Sequence, residues 1–308
     1  MAELPSLQAL LNDAAIAIVT AIDSDSARLD VELLLCEVLG KERTYLFTWP
    51  EKQPDAQQLA HFKALLERRL RGEPVAHILG VRDFWSLSLK VNSSTLIPRP
   101  DTEVLVETVL GLALPGNARV LDLGTGTGAI ALALASEYPA WQVTAVDYSA
   151  DAVGLAEANR ERCGLVNVRV LQSDWFLALG DEANAPRFDV IVSNPPYIDP
   201  QDPHLLQGDV RFEPLSALVA DDAGLSDLRL IAEQARAFFT PSARTAKRAW
   251  LVLEHGYDQA LAVQTLLQEA GYAEVRTVKD YGGQDRVTLG CFHAAGIDAV
   301  TETKDDGL

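Results

Sequence analysis

The stretch VLDLGTGTGAIALALASEY, residues 120–138, decides which fold the chain is expected to adopt. Its first residues are typical of a buried strand, three glycines then break the pattern, and the alanine-rich remainder predicts a helix. A strand that passes through a glycine-rich turn into a helix is the first unit of a parallel sheet that binds a ligand at its carboxyl edge. We therefore expect a ligand at this turn.

Short apolar strands alternate with amphipathic helices after this unit. Further strands are predicted at QVTAVD (142–147), NVRVLQSD (167–174), FDVIVSN (188–194) and AWLVLEH (249–255). The final stretch, AEVRTVKDYGGQDRVTLGCF (273–292), contains two alternating runs around a glycine-rich turn and predicts an antiparallel pair. The pattern indicates an α/β fold with a doubly wound, mostly parallel, seven-stranded sheet whose last strand is antiparallel.

This pattern leaves a separate helical region at the start of the chain. Residues 1–75 predict helices only, and residues 76–100 predict a linker with a short β-hairpin. We assign residues 101–292 to the sheet domain and the polar residues 293–308 to a disordered tail. The chain is therefore expected to form two domains.

The composition disfavours several classes of function. The 308 residues carry a net charge of −18, which disfavours stable nucleic-acid binding because phosphates need a clustered basic surface. The basic segment HFKALLERRLR (61–71) is interpreted as a solvated helix face rather than a docking patch. The spacing of the cysteines and histidines predicts neither a disulfide framework nor a metal site. Because no secretory signal or membrane-spanning run is recognised, the chain is expected to be cytoplasmic and not to bind membranes.

The glycine turn and the acid that follows it predict a nucleoside-containing ligand. Glycines let the backbone approach such a ligand, and the next helix offers free N–H groups. Asp147 ends the second strand, where its carboxylate can accept from two ribose hydroxyls. The alternative for Asp147 is a helix-capping acid at a strand end.

The acid inside the turn, Asp122, narrows the choice of ligand. A carboxylate there would repel a pyrophosphate but suits a ligand with an ammonium and a sulfonium group, which S-adenosylmethionine carries. Asp174 and Trp175 follow the third strand and are placed to accept from the adenine amino group and pack against its ring. Trp175 can equally be a core residue. The product would be S-adenosylhomocysteine.

The sequence NPPY (194–197) follows the fourth predicted strand, which usually lies beside the first in a doubly wound sheet. Pro195 and Pro196 fix φ and remove two N–H donors, which leaves a stiff loop that presents acceptors. The Asn194 side-chain oxygen and the Pro195 carbonyl can each accept one hydrogen of a planar amino group, and Tyr197 can lie against its face. This geometry suits methyl transfer to that nitrogen. The alternative is that the two prolines merely end a strand.

These segments resemble, in order, those of the release-factor glutamine N5-methyltransferases, a bacterial family of class I S-adenosylmethionine-dependent enzymes. The resemblance also covers TLIPRPDTE (95–103), SDWF (173–176), QGDVRFEPLSAL (207–218) and DRVTLG (285–290). It implies a Rossmann-like fold in which Asn194 to Tyr197 hold the substrate glutamine. The substrate would be the Gly-Gly-Gln motif of class 1 peptide chain release factors, which the helical domain would help to dock. The residues implied at the cofactor are Gly124, Thr125, Gly126, Thr127, Gly128, Asp147, Trp175 and Asn194.

Four further residues are candidates for substrate binding. By the same resemblance, IPRPDTE (97–103) folds over the methionine end of the cofactor, with Arg99 and Thr102 as its candidate contacts. The residues alone predict only a rigid linker with a helix cap. The loop 199–224 is long for a compact domain and is expected to be a functional lid. Within it, Arg211 and Glu213 are expected either to bind substrate or to pair with each other.

Other functions stay open at this stage. The same chemistry fits a glutamine of a ribosomal protein or an exocyclic adenine amine in nucleic acid, although the charge disfavours the latter. A catalytically silent cofactor-binding module is a further alternative, which an intact NPPY disfavours. Gly282-Gly283-Gln284 repeats the substrate's own motif, but its position between two alternating runs predicts a hairpin turn.

Overall fold

The structure of the chain is a computed structural model that describes residues 4–180, 185–240 and 248–292. Contacts within it divide the chain into two compact units. The first, the helical unit, takes its residues from Met1–Arg82, Lys90–Ile97 and Gln201–Pro214. The second, the sheet unit, takes its residues from Asp83–Leu89, Pro98–Pro200 and Leu215–Leu308. The predicted tail, 293–308, lies outside the described residues.

The helical unit begins and ends its helices at residues that cap them. The Ser6 hydroxyl accepts from the Ala9 N–H, and Asp55 forms a capping box with Gln58. Gly40 adopts a left-handed conformation (φ 59°) that ends the second helix. The helices are α1 (Leu7–Ile22), α2 (Ala27–Leu39), α3 (Arg43–Thr48), α4 (Ala56–Leu70) and α5 (Val75–Leu79). The pattern predicts α1, α2 and α4, whereas α3 and α5 are too short for a helical period to show.

Arg69 of α4 is buried, so the interpretation of 61–71 as a wholly solvated helix face is wrong at this position. Its Nε donates to Asp30 Oδ2 at 2.8 Å, and its Nη1 donates to Asp209 Oδ1 at 2.9 Å. Lys63 on the same helix is exposed, as the interpretation requires. The Arg69 charge is therefore a structural element of the helical unit, because a buried guanidinium is tolerated only when it is paired.

Replacement of Arg69 by alanine is expected to lower the free energy of unfolding of the helical unit by about 3–5 kcal/mol, because it leaves the buried Asp30 carboxylate without its partner. Urea denaturation followed by circular dichroism measures the loss. Lys63→Ala on the exposed face of α4 is the matched control and is expected to change stability by less than about 0.5 kcal/mol. Equal stability of the two variants would contradict the role of Arg69.

The sheet unit contains a seven-stranded sheet whose order is that of a doubly wound fold. The strands of the structure are β1 (Val81–Phe84), β2 (Leu87–Lys90), β3 (Arg119–Leu123), β4 (Gln142–Asp147), β5 (Val168–Gln172), β6 (Val190–Ser193), β7 (Ala249–Glu254), β8 (Ala273–Lys279) and β9 (Asp285–Phe292). The order in the sheet is β5-β4-β3-β6-β7-β9-β8. Strands β3 to β7 pair in parallel, and β9 is antiparallel to both β7 and β8. The predicted fold class is confirmed, including the position of β6 beside β3.

Both faces of this sheet are covered by helices, which explains why its strands are apolar at successive positions. Val120 belongs to one core cluster and Leu121, the next residue of β3, to the other. The helices of this unit are α6 (Glu103–Leu110), α7 (Ala129–Glu137), α8 (Ala150–Cys163), α9 (Asp221–Gly224, a single irregular turn), α10 (Ser226–Ala235) and α11 (Ala260–Glu269). Residues of α6 and α7 pack in the cluster of Val120, and residues of α10 and α11 pack in that of Leu121.

Two hairpins occur where the sequence predicts them. Strands β1 and β2 pair in a small sheet of their own, and Trp85 between them has a positive φ of 57°. In the turn between β8 and β9, the Asp280 N–H donates to the Gln284 carbonyl, and Gly283 has a φ of 80°. The Gly-Gly-Gln sequence is therefore a turn that needs glycine. Within the described ranges, no helix is long and apolar enough to span a bilayer.

Candidate active site

The chemistry-bearing residues meet at the carboxyl edge of the sheet, at the point where the strand order reverses. β3 has β4 on one side and β6 on the other, with Leu123 opposite both Val146 and Ser193. The residues that follow these three strands are therefore neighbours. In doubly wound sheets the crevice at this reversal is where ligands bind.

The glycine turn after β3 adopts a backbone that other residues rarely reach. Gly124, Gly126 and Gly128 have φ values of 69°, 55° and 86°. A methyl group on Gly128 would lie 3.0 Å from Leu132 Cδ1, and one on Gly124 would lie 3.6 Å from the Trp175 ring. The turn thus holds its shape and its contact with α7 only when these positions lack side chains.

Asp147 ties the glycine turn to the end of β4. Its Oδ2 accepts from the Gly126 N–H at 2.8 Å, and its Oδ1 accepts from the Ser149 N–H at 2.9 Å. Burial raises the pKa of this carboxyl, and the backbone N–H groups oppose that shift because they stabilise the charged form. The half-buried carboxylate keeps lone pairs for further donors, such as ribose hydroxyls.

Asp122 lies beneath the turn rather than on its surface. Its side chain is fully buried, and Oδ2 accepts from the Thr125 hydroxyl at 2.6 Å and from the Ala131 N–H at 3.3 Å. Burial raises the pKa of this carboxyl to about 7. Its Oδ1 has no hydrogen-bond partner among the described residues. Asp122 therefore braces the turn from inside, and this second oxygen has unused capacity.

Asp174 and Trp175, the predicted contacts of the adenine, follow β5. Asp174 is exposed, and it lines an open cleft together with Tyr148, Ser149, Gln172 and Leu177. The Trp175 ring is half-buried and faces Gly124. Trp175 thus packs against the turn and against the core, and its contact with the adenine stays a prediction.

The NPPY loop after β6 is anchored by its flanking residues. The buried Ser193 hydroxyl donates to the Leu123 carbonyl at 2.7 Å, which fixes the start of the loop against β3. Beyond the prolines, the Tyr197 carbonyl accepts from Gln259 Nε2 at 3.0 Å. A methyl group on Gly224 would lie 2.0 Å from the same carbonyl oxygen, so the chain passes closely behind the loop. Asn194 and Tyr197 are both half-buried.

Sequence reasoning missed one residue of this region, Glu254. It ends β7, a strand in which all six residues are buried, and the acid itself is 2% exposed. Its Oε1 lies 3.5 Å from the Tyr197 hydroxyl. Burial raises its pKa to about 7, and it also raises the pKa of the Tyr197 phenol. An acid at the end of an otherwise wholly apolar strand is the signal that could have indicated it.

The four candidate substrate contacts fall in different units. Arg99 and Thr102 belong to the sheet unit, where the Thr102 side chain is buried next to Asn194. Arg211 and Glu213 belong to the helical unit. There Glu213 Oε1 accepts from the Ile97 N–H at 3.0 Å, and Arg211 donates to the Arg71 carbonyl at 3.3 Å. The roles of all four in substrate binding stay predictions.

Comparison with known proteins identifies the family. Residues 10–80 match the family described as PrmC N-terminal domain, and residues 100–207 match the Methyltransferase small domain. The chain is 56% identical over 270 residues to the release factor glutamine methyltransferase of Shewanella oneidensis, with 88% of this chain and 91% of that protein covered. The protein of the same name from Pseudomonas aeruginosa is 56% identical over 268 residues and covers 87% and 94%. The chain belongs to the release factor glutamine methyltransferase family.

A solved structure supports the fold of this family member. The chain resembles a methyltransferase from Pyrococcus furiosus with a TM-score of 0.51 and 20% sequence identity. The match covers 74% of this chain and 98% of the other. At this identity the likeness concerns the fold alone, and it agrees with the mostly parallel seven-stranded sheet.

Replacement of Asp147 by alanine is expected to weaken S-adenosylmethionine binding by roughly 10- to 100-fold, because it removes both a charged acceptor and the bond to the Gly126 N–H. Isothermal titration calorimetry measures the dissociation constant. Asp151→Ala, which removes an exposed acid in the first turn of α8, is the matched control and should leave the constant unchanged. An unaltered affinity in the Asp147 variant would remove the assignment.

Proposed function

We propose that this chain transfers the methyl group of S-adenosylmethionine to the side-chain amide nitrogen, N5, of the glutamine in the Gly-Gly-Gln motif of class 1 peptide chain release factors. The observation that carries this proposal is the NPPY loop on the strand next to the glycine turn. Family membership supports it, because the relatives are named for glutamine methylation of a release factor.

The residues around the glycine turn fit the proposed cofactor. The left-handed glycines leave room for close approach of its methionine part, and the half-buried Asp147 offers oxygens to its ribose. The cleft beside Asp174 and Trp175 would take the adenine ring. When bound, S-adenosylmethionine supplies an electrophilic methyl carbon on its sulfonium. Asp122 acts from beneath through the turn that it braces.

The NPPY loop would hold the glutamine amide against that methyl carbon. Asn194 Oδ1 and the Pro195 carbonyl each accept one N–H of the amide, which fixes the direction of its nitrogen lone pair. The Tyr197 ring packs against the amide plane. As the N–C bond forms and the C–S bond breaks, positive charge grows on the nitrogen, and the two oxygens stabilise it. The alkylated nitrogen is acidic enough to lose its proton to water without a dedicated base.

The helical unit is proposed to dock the release factor. The first 75 residues carry no catalytic constellation in their sequence, and their helices pack on a core of their own. Within the same unit, Glu213 fastens the segment that contains RFEP to the backbone of Ile97, the first residue of IPRP. We propose that these two segments contribute to substrate selection through Arg99, Thr102, Arg211 and Glu213.

A glutamine of a ribosomal protein and an adenine amine of RNA are the competing acceptors. A filter assay with labelled cofactor offers purified release factor, ribosomal protein and ribosomal RNA in parallel. Incorporation into release factor, abolished when its Gly-Gly-Gln glutamine is changed to alanine, is the expected result. Preferential labelling of either other acceptor would replace the proposed substrate.

Replacement of Asn194 by alanine is expected to lower kcat by about 100-fold or more, which corresponds to at least about 2–3 kcal/mol of lost transition-state stabilisation. Single-turnover methylation of release factor measures the change. Cofactor affinity should fall much less, because the glycine turn stays intact. Asn117→Ala at an exposed position is the control. Near-normal turnover of the Asn194 variant would refute its role.

The Gly-Gly-Gln turn of the chain itself is not expected to be methylated. Gln284 is exposed, but its backbone closes the turn with Asp280, whose Oδ1 accepts from the Gln284 N–H at 2.9 Å. A glutamine fixed in a turn between two paired strands cannot present its side chain in the NPPY loop of the same molecule. Intact mass after incubation with cofactor alone should show no added methyl group, and a gain of one methyl would overturn this expectation.

A further inference from the structure

A chain of hydrogen bonds behind the NPPY loop joins its first and last residues to one buried acid. Asn194 Nδ2 donates to Thr102 Oγ1 at 3.4 Å, and the Thr102 hydroxyl is hydrogen-bonded to Glu254. From the other end of the loop, the Tyr197 hydroxyl lies 3.5 Å from Glu254 Oε1. Glu254 and Thr102 are 2% and 4% exposed, so water does not compete for these bonds.

Thr102 is the last residue of a short 3-10 turn, Pro100–Thr102, that leads directly into α6, and its backbone is helical (φ −67°, ψ −19°). Its side chain makes no capping hydrogen bond to α6. The hydroxyl is instead directed into the network between Asn194 and Glu254. A threonine at this position is therefore used for something other than the helix end.

The Thr102 hydroxyl has one hydrogen and two neighbours, so it can donate to either Glu254 or Asn194 but not to both. Above its pKa of about 7, Glu254 is a carboxylate that can only accept, so Thr102 must donate to it. The oxygen of Thr102 then has lone pairs but no hydrogen for Asn194, and it can be satisfied only by the Asn194 NH₂ group. That arrangement leaves the other arm of the amide, Oδ1, to accept from a substrate. If the Asn194 amide were rotated by 180°, its Oδ1 would face the Thr102 oxygen with no hydrogen between them.

The direction of the hydrogen bond made by the Tyr197 hydroxyl is also set by its partners. Arg286, which can only donate, is hydrogen-bonded to the phenol oxygen, and it is held in place by Asp280 at 3.0 Å. The phenol hydrogen is therefore left for Glu254. The ionised Glu254 carboxylate thus sets which group donates at both ends of the loop, at Tyr197 directly and at Asn194 through Thr102.

We propose that Glu254 is a positioning residue that acts through Thr102 to fix the amide orientation of Asn194, so that the Asn194 oxygen and not its nitrogen meets the substrate amide. This inference rests on the proposed function, because it concerns the acceptor role of Asn194 in that reaction. Glu254 touches neither substrate nor cofactor in this proposal. Its effect is expressed through the polarity of the hydrogen bonds.

Three single variants test the chain of bonds. Thr102→Val and Glu254→Gln are each expected to lower kcat by about 10- to 100-fold, with the dissociation constant for S-adenosylmethionine changed less than about threefold. Thr102→Ser keeps the hydroxyl and should stay within about threefold of the wild-type kcat. Thr108→Val, a half-buried position on the following helix, α6, whose hydroxyl donates to the Val104 carbonyl, is the matched control. Thermal unfolding of each variant verifies that it is folded.

A double variant tests the polarity itself, which a purely structural role would not affect. Asn194→Asp places a second acceptor-only group on Thr102, so two carboxylates compete for one hydroxyl hydrogen. When Glu254→Gln is added, the NH₂ group of the new glutamine can donate to the Thr102 oxygen. The Thr102 hydroxyl is then free to donate to the carboxylate at position 194, so every hydrogen bond in the chain runs in the opposite direction. The double variant should therefore be at least about tenfold more active than Asn194→Asp alone, although Glu254→Gln is damaging in the wild-type background.

The outcomes separate this inference from the proposed function. The variants are assayed on whichever of the three acceptors the wild type methylates. Normal kcat in Thr102→Val, or additive losses in the double variant, would overturn the inference while the proposed function stands. A wild-type enzyme that methylates none of the acceptors would overturn both.

Discussion

The bond between the Asp147 carboxylate and the Gly126 N–H is the interaction on which the candidate site depends. It joins the turn after β3 to the end of β4, and so converts two adjacent strand ends into one rigid edge. Three residues of the turn, Gly124, Gly126 and Gly128, are left-handed glycines, which have no side chains to pack. Without an acceptor fixed on the neighbouring strand, this backbone would lose its shape at little energetic cost.

Buried or half-buried acids recur at or near strand ends across the site, each with a different set of partners. Asp122 accepts from a hydroxyl and a backbone N–H, Asp147 from two backbone N–H groups, and Glu254 from side-chain hydroxyls. Burial raises the pKa of all three carboxyls, and hydrogen bonds to the charged form oppose that rise. Asp122 and Glu254 therefore serve as fixed acceptors that shape loops, whereas the half-buried Asp147 also keeps lone pairs for further donors.

The sequence predicts most of the fold and only part of the site. The glycine turn, Asp147 and NPPY are adjacent to strand ends in the sequence, so the parallel topology alone brings them together. Arg69, Thr102 and Glu254 could not be assigned in this way. Arg69 lies in a helical pattern, Glu254 ends an apolar strand and Thr102 lies in the polar segment PDTE, and the role of each depends on a partner far away in the chain, which periodicity does not indicate.

The prolines of the NPPY loop explain why such distant partners are needed. Pro195 and Pro196 lack N–H groups, so the loop cannot be held by backbone hydrogen bonds of its own, however stiff its φ angles are. The Ser193 hydroxyl and the bond from Gln259 to the Tyr197 carbonyl anchor its ends, and the side chains that flank the prolines, Asn194 and Tyr197, are held separately. Both reach the same buried carboxylate, one through Thr102 and one directly. If the loop presents acceptors to a substrate as proposed, this acceptor behind it fixes which way those side chains face.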